Sequence, residues 1–218
     1  MKLSVLLTLK PTPMIKDLLE CMYESIENAV EDYEILFSTA DISEKSIQRL
    51  SNLKNARPID VGNNRSRSHF WNVGFKQVSQ DSDLILFLDL DSILFQNSVR
   101  KMIELLEVDS KLSAVGSYMN SGFYGVQQSS LNATDLEDLA NAVTIFEDER
   151  VNLKTFAMFL EGNCMLIRRE ILSKIQSRYG FLIDDRFSKN FYDDIDLSVK
   201  NFARRIFYRS CTDLYMAT

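Results

Sequence analysis

The sequence predicts a single α/β domain: a parallel sheet flanked by helices. Three observations predict it. Apolar runs of strand length alternate with segments of helical periodicity from Lys2 onward, the rhythm of parallel strands joined by right-handed crossovers. One run, Asp83 to Phe95, is apolar almost throughout until Asp89 and Asp91, as in a central strand buried on both faces. With 218 residues, 45% of all residues apolar and 26% charged, the chain has the size and composition to build one sizeable core without disulfides.

The elements follow in order. Met1 to Lys10 has an apolar core too short to span a membrane and no small-residue cleavage site, so it reads as a first strand, and the domain as cytoplasmic. Pro11 and Pro13 break that run. From Met14 to Ala29, Ile15, Leu18, Leu19, Met22 and Ile26 recur at helical spacing. Residues 33–38 form a second strand that ends in Thr39-Ala40-Asp41, and a polar helix spans roughly Ser43 to Leu53. Ala56 to Val61 is a third strand, which runs into Gly62-Asn63-Asn64. A helix from about Ser66 to Gln77 delivers the chain to the central strand.

Downstream, Ser98 to Leu106 is helical and residues 113–118 are extended. From Asn120 to Phe156 the pattern loosens into a long insertion with one acidic helix near Asp135 to Ala142; such insertions in compact domains commonly carry function. Asn132-Ala133-Thr134 matches a glycosylation acceptor, without the secretion signal that would make use of it. Phe159 to Arg169 reads as a strand in which Gly162 permits a close approach. Glu170 to Tyr179 is a helix capped by Gly180, and a last helix opens at Asp193 and runs to about Ala203. The final residues, Cys211 to Thr218, run out in mid-pattern, as in one piece of a longer protein.

Charge and cysteine usage exclude some classes. With 25 basic and 31 acidic residues, a net charge of -6 offers no electrostatic case for a nucleic-acid partner. Cys21, Cys164 and Cys211 are scattered and in no metal-ligand spacing, in keeping with reduced thiols.

Two acidic clusters carry the chemistry. Asp89 and Asp91 lie two apart at the end of a strand, so alternation puts both on one side, at the edge where open α/β sheets bind ligands. Adjacent carboxylates repel unless a cation or a shared proton intervenes, and a divalent metal carrying phosphate oxygens is a natural occupant. A helix cap beside a turn carboxylate is the plainer reading of the same residues. The second cluster, Asp193, Asp194 and Asp196, opens a helix, where negative charge suits the dipole, but three acids in four residues exceed what capping requires.

An ordered set of motifs then resembles the GT-A fold glycosyltransferases, of the inverting family 2 type with galactosyltransferase-like features, which implies a Rossmann-like single domain with a mixed, mostly parallel sheet flanked by helices. Ser66 to Phe75 resembles a segment in which an Arg precedes an Asn-Val-Gly-Phe helix. Leu86 to Asp91 resembles the strand that ends in the Asp-X-Asp metal motif. Glu161 to Arg169 looks like the family's Gly-containing strand followed by an Arg-Arg helix start. Phe181 to Phe187, followed by Tyr192 to Leu197, is similar to its paired acidic motifs.

The resemblance implies transfer from a nucleotide-sugar, with UDP-linked galactose, glucose or their N-acetyl forms foremost. Residues 1–118 would form the nucleotide-binding half and 119–218 the acceptor-binding half. Asp91 would ligate Mn²⁺ or Mg²⁺, with Asp89 sharing the ion or contacting the ribose. Asp41 and Arg67 would bind the nucleoside, Asp194 would be the general base, and Asp193 and Gly162 would face the acceptor. That acceptor is a glycan, a lipid-linked oligosaccharide at the inner membrane face, which implies peripheral membrane association, or a glycoprotein. Phe123 and Tyr124 are candidate sugar platforms.

The third metal ligand that the family often supplies after the acidic helix is not evident: His69, the one histidine, lies upstream, and Asp213 is a poor substitute. Two rival readings stand beside this one. Residues 87–94 resemble the opening motif of haloacid dehalogenase-type phosphatases, although several βα units precede them here. A transferase-like module that binds nucleotide without turnover is the other.

Overall fold

The computed structural model of the chain describes residues 1–9, 15–40, 42–89, 92–117, 159–187, 192–202 and 214–216. Expectations for Asp41, Asp91, Phe123, Tyr124, Asp213 and the helix near 135–142 lie outside them.

The first half realises the expected alternation: β1 (Lys2–Thr8), α1 (Ile15–Glu27), β2 (Asp32–Ser38), α2 (Glu44–Ser51), β3 (Ala56–Ile59), α3 (Arg67–Gln77) and β4 (Leu84–Asp89). Next come β5 (Ser92–Leu94), α4 (Ser98–Val108), β6 (Ala114–Gly116), β7 (Cys164–Arg168), α5 (Arg169–Tyr179), a 3-10 turn (Asp185–Phe187), α6 (Asp193–Phe202) and β8 (Leu214–Met216). The six-stranded sheet has the order β3-β2-β1-β4-β7-β6. Neighbours among β1 to β4 pair parallel, while β7 is antiparallel to both β4 and β6. From β1 the chain steps outward to β2 and β3, then returns across β1 to β4, so the switch point lies between β1 and β4. Thr8 pairs with Asp89 there.

Alternation along β4 divides the core. Leu84, Leu86 and Leu88 join Leu3, Val5 and Leu7 of β1 under Leu18, Met22 and Ile26 of α1 and Val99 and Met102 of α4. Ile85 and Phe87 join Phe70, Trp71 and Phe75 of α3, Leu172 and Ile175 of α5 and Leu197 of α6. Asp89 continues the second series, which puts its carboxylate on the α3 and α6 face.

The central run is shorter than its hydrophobicity suggests. β4 ends at Asp89, and residues 92–94 pair antiparallel with β8 in a separate two-stranded sheet, which draws the C-terminal residues 214–216 back beside the segment after the Asp-X-Asp motif. The strand expected over 159–169 is also shorter, β7 starting only at Cys164. The reason lies in the backbone N–H groups upstream of it: Leu160 N–H donates to Ser198 Oγ at 3.0 Å and Gly162 N–H to Asp194 Oδ2 at 2.9 Å. Four helical residues rise about 6 Å and two extended residues about 6.7 Å, so an extended segment can dock two alternate N–H groups on one face of α6. α5 closes as expected, with Gly180 in the left-handed conformation, φ 82°.

Candidate active site

The site is built where β4, α3 and α6 meet at the C-terminal end of the sheet. Ser66 caps α3, its hydroxyl accepting from His69 N–H, so Arg67 is the first residue of that helix and points across the sheet end. Its guanidinium meets three carboxylates. Nε donates to Asp193 Oδ2 at 2.8 Å and Nη2 to Asp193 Oδ1 at 2.5 Å, a bidentate fork. Nη1 donates to Asp89 Oδ2 at 3.0 Å, and Nη2 lies 3.7 Å from Asp194 Oδ2. The Arg67 side chain is 9% exposed, and Asp89 and Asp193 are fully buried.

Apolar packing frames this cluster. The Trp71 ring lies 4.9 Å from Arg67 Cζ and 4.7 Å from the Phe87 ring. Gly162 lies against both cation and indole: a Cβ there would stand 2.7 Å from Trp71 Cη2 and 2.9 Å from Arg67 Cζ. A side chain at 162 would displace one of them.

The three acids of α6 have separate tasks. Asp193 takes the Arg67 fork and accepts Asp194 N–H at 3.0 Å. Asp194 accepts Gly162 N–H at 2.9 Å and Ile195 N–H at 2.8 Å. Asp196 accepts Asp184 N–H at 3.0 Å and pairs with Lys200 one turn on. Capping of a helix start accounts for part of this arrangement, but not for the cation that Asp193 and Asp89 share. Tyr192, just before them, is half exposed and has a positive φ of 66°.

Burial pushes the Asp194 carboxyl above its ordinary value, against the pull of Arg67 and the Gly162 N–H, while Asp193 beside it pushes the same way. For Arg67, burial works against the charge, but Asp89, Asp193 and Asp194 outweigh it and hold the guanidinium firmly protonated.

A second network braces the site. Asn72 Nδ2 donates to Ile183 O at 2.7 Å and to Asp185 Oδ1 at 3.0 Å, and its Oδ1 accepts Leu182 N–H at 2.8 Å and Ile183 N–H at 3.1 Å. One amide thus ties α3 to the loop that leads into α6. His69 Nδ1 lies 3.7 Å from Asp185 Oδ2, away from Asp89. Among the described residues, no three His, Cys, Asp or Glu side chains gather into a group able to hold a metal.

The structure therefore brings Asp89, Asp193, Asp194, Gly162 and Arg67 together. The resemblance implies that Arg67 contacts the nucleoside base; here its guanidinium is directed into the carboxylates. Asp193, expected to face the acceptor, is buried behind Arg67. Trp71, Asn72 and Ser198 join the site only through the fold. Asn72 is the Asn of the Asn-Val-Gly-Phe segment that carries the resemblance, but that motif by itself does not say which backbone groups its amide meets.

The model of glycosyl transferase family 2 matches residues 14–176, about three quarters of the chain. The chain belongs to glycosyl transferase family 2. Solved structures share the fold of this family 2 domain at low identity. S. aureus TarS 1-349 superposes with a TM-score of 0.63 at 14% identity, covering 99% of this chain and 60% of that one. The same TarS fragment in complex with UDP gives 0.62 at 13%, again covering 99% and 60%. The mannosyltransferase PcManGT from Pyrobaculum calidifontis, in complex with GDP-Man and Mn²⁺, gives 0.61 at 13%, covering 99% of this chain and 55% of its own. The family 2 domain thus spans little more than half the length of these neighbours. No curated protein sequence matches it. Among its described residues no helix is long and apolar enough to cross a membrane.

Proposed function

We propose that this family 2 domain is an inverting, metal-assisted hexosyltransferase. It moves galactose, glucose or an N-acetylated form from a UDP-sugar to a hydroxyl of a glycan, lipid-linked or protein-linked acceptor. The observation that carries the reading is the meeting of Asp89 and Asp194 around one buried guanidinium at the switch point of the sheet. Asp89 belongs to the strand end that would receive the donor, and Asp194 to the helix that would face the acceptor.

The attacking sugar hydroxyl is a poor nucleophile. Asp194 accepts its proton while the hydroxyl oxygen bonds to the anomeric carbon from the face opposite the departing diphosphate, which inverts that centre. The Gly162 and Ile195 N–H groups hold the carboxylate in one orientation for this step. Burial of Asp194, by raising its proton affinity, makes it a better base near neutral pH than an exposed carboxylate.

Asp89 is a hard oxygen donor at a strand end, the ligand type that Mn²⁺ and Mg²⁺ take, and Asp91 follows it two residues on. These two carboxylates would hold such an ion, which would neutralise charge on the leaving nucleoside diphosphate. Asp41 is proposed on the nucleoside.

The test is release of nucleoside diphosphate from a panel of UDP- and GDP-sugars with Mn²⁺, the panel spanning both because the neighbours hold UDP in one case and GDP-Man in another. Turnover of one donor, lost in Asp91→Ala and sharply reduced in Asp194→Asn, is the expected result. Metal-dependent nucleotide binding without turnover would leave a non-catalytic binding module, and neither binding nor turnover would sink the proposal.

A further inference from the structure

We infer that Arg67 is a positioning residue for Asp194 and not a ligand of the nucleotide, an inference that rests on the transferase reading above. All three guanidinium nitrogens are directed at carboxylates: Nε and Nη2 at Asp193, Nη1 at Asp89, with Nη2 also facing Asp194. The group lies against Trp71, and the missing side chain of Gly162 leaves it just enough room. Turning outward toward a nucleotide would break a fully buried fork and leave Asp193 uncompensated.

The grip reaches the base through the chain itself. Asp193 and Asp194 are consecutive in the first turn of α6, so fixing both oxygens of Asp193 fixes the origin of that helix. Asp194 can then meet the Gly162 N–H at 2.9 Å only in one orientation. The same guanidinium ties that helix to Asp89, so base and donor-side carboxylate are set relative to each other by one side chain. A lysine is a point charge without the planar fork and cannot hold both carboxylates at these angles.

The experiment uses the full chain with the donor found in the panel, comparing wild type with Arg67→Lys, Arg67→Met and Asp193→Asn. Turnover gives kcat and donor KM, and calorimetry with UDP and GDP in the presence of Mn²⁺ gives nucleotide affinity. Arg67→Lys is expected to lose about 100-fold in kcat while nucleotide Kd stays within about threefold, since a misplacement near 1 Å is enough for such a loss. Asp193→Asn, which keeps shape but not charge, is expected to lose about tenfold in kcat with donor KM within about threefold.

If Arg67→Met does not fold, Arg67→Lys and Asp193→Asn carry the test. A nucleotide Kd weakened about tenfold or more with kcat preserved would make Arg67 a nucleotide ligand and overturn the inference. An active wild type whose Arg67→Lys variant keeps both constants would overturn it alone. A wild type that turns over no donor overturns the transferase reading and this inference with it.

Discussion

The two ends of the sheet carry similar residue types in opposite surroundings. At the N-terminal end of the strands, Lys2 Nζ lies 3.2 Å from Asp81 Oδ1, whose side chain is 73% exposed, and Arg169 donates to Gln80. An open hollow there is lined by Asp83, Glu107, Arg168 and Glu170. At the C-terminal end, one arginine and three aspartates are packed under Trp71 and Gly162 with almost no exposure. Water screens the first group, so each pair is nearly independent and contributes little. In the second group every charge depends on the others, because a buried carboxylate without its cation is costly. The difference teaches that the carboxylate cluster at the C-terminal end is taken out of water together with the one guanidinium that its members share.

The largest expected break concerns chemistry. Asp194→Asn keeps the shape of the side chain but cannot accept the proton, and kcat for transfer is expected to fall about 10³-fold, read as nucleoside diphosphate release at saturating donor. The pH profile sharpens this. The folded chain holds the Asp194 proton more tightly than the unfolded chain does. Between the ordinary value of 3.8 and that raised value, activity therefore rises with pH while the contribution of this group to stability falls. Both trends should vanish in Asp194→Asn.

Stability separates the two ends next. Arg67→Met strands Asp89 and Asp193 in the interior and is expected to cost about 3–5 kcal/mol in urea unfolding. Lys2→Met, at the exposed end, should leave the unfolding midpoint unmoved. A comparable loss from both changes would erase the distinction between the ends.

Smaller effects test the braces. Asn72→Ala leaves the Leu182 and Ile183 N–H groups and the Ile183 carbonyl without their partner. It is expected to cost about 2–3 kcal/mol, with a matching drop in urea midpoint. Gly162→Ala forces a Cβ against Trp71 and Arg67 and is expected to cost about 1–3 kcal/mol. If Arg67 is the part that moves, donor turnover should fall more than this small stability loss implies.

Much of the architecture was legible in the chain. The alternation that predicts β1 to β4 with three intervening helices is found with boundaries displaced by a few residues, because apolar strands and amphipathic helices differ in period. The antiparallel pairing of β7 with β4 and β6, and that of β5 with β8, had no local signal: apolar residues describe burial, not strand direction. In the site, Asp89, Asp193 and Asp194 were visible as acids in unusual places, whereas Asn72 stood out only as part of a motif with no role attached, and Ser198 as an ordinary polar residue on a helix. Their importance depends on which N–H groups the fold brings to them.

By itself the sequence determined the class of the fold, the strand that ends in Asp89 and the acidic start of α6, because these follow from local periodicity and charge. The tertiary structure alone decided what Arg67 does. Its three carboxylate partners come from β4 and from α6, more than a hundred residues further along the chain, and its room from the missing side chain of Gly162. A side chain's partners are set by which elements pack together, and that is a property of the folded sheet and its helices, not of any stretch of chain.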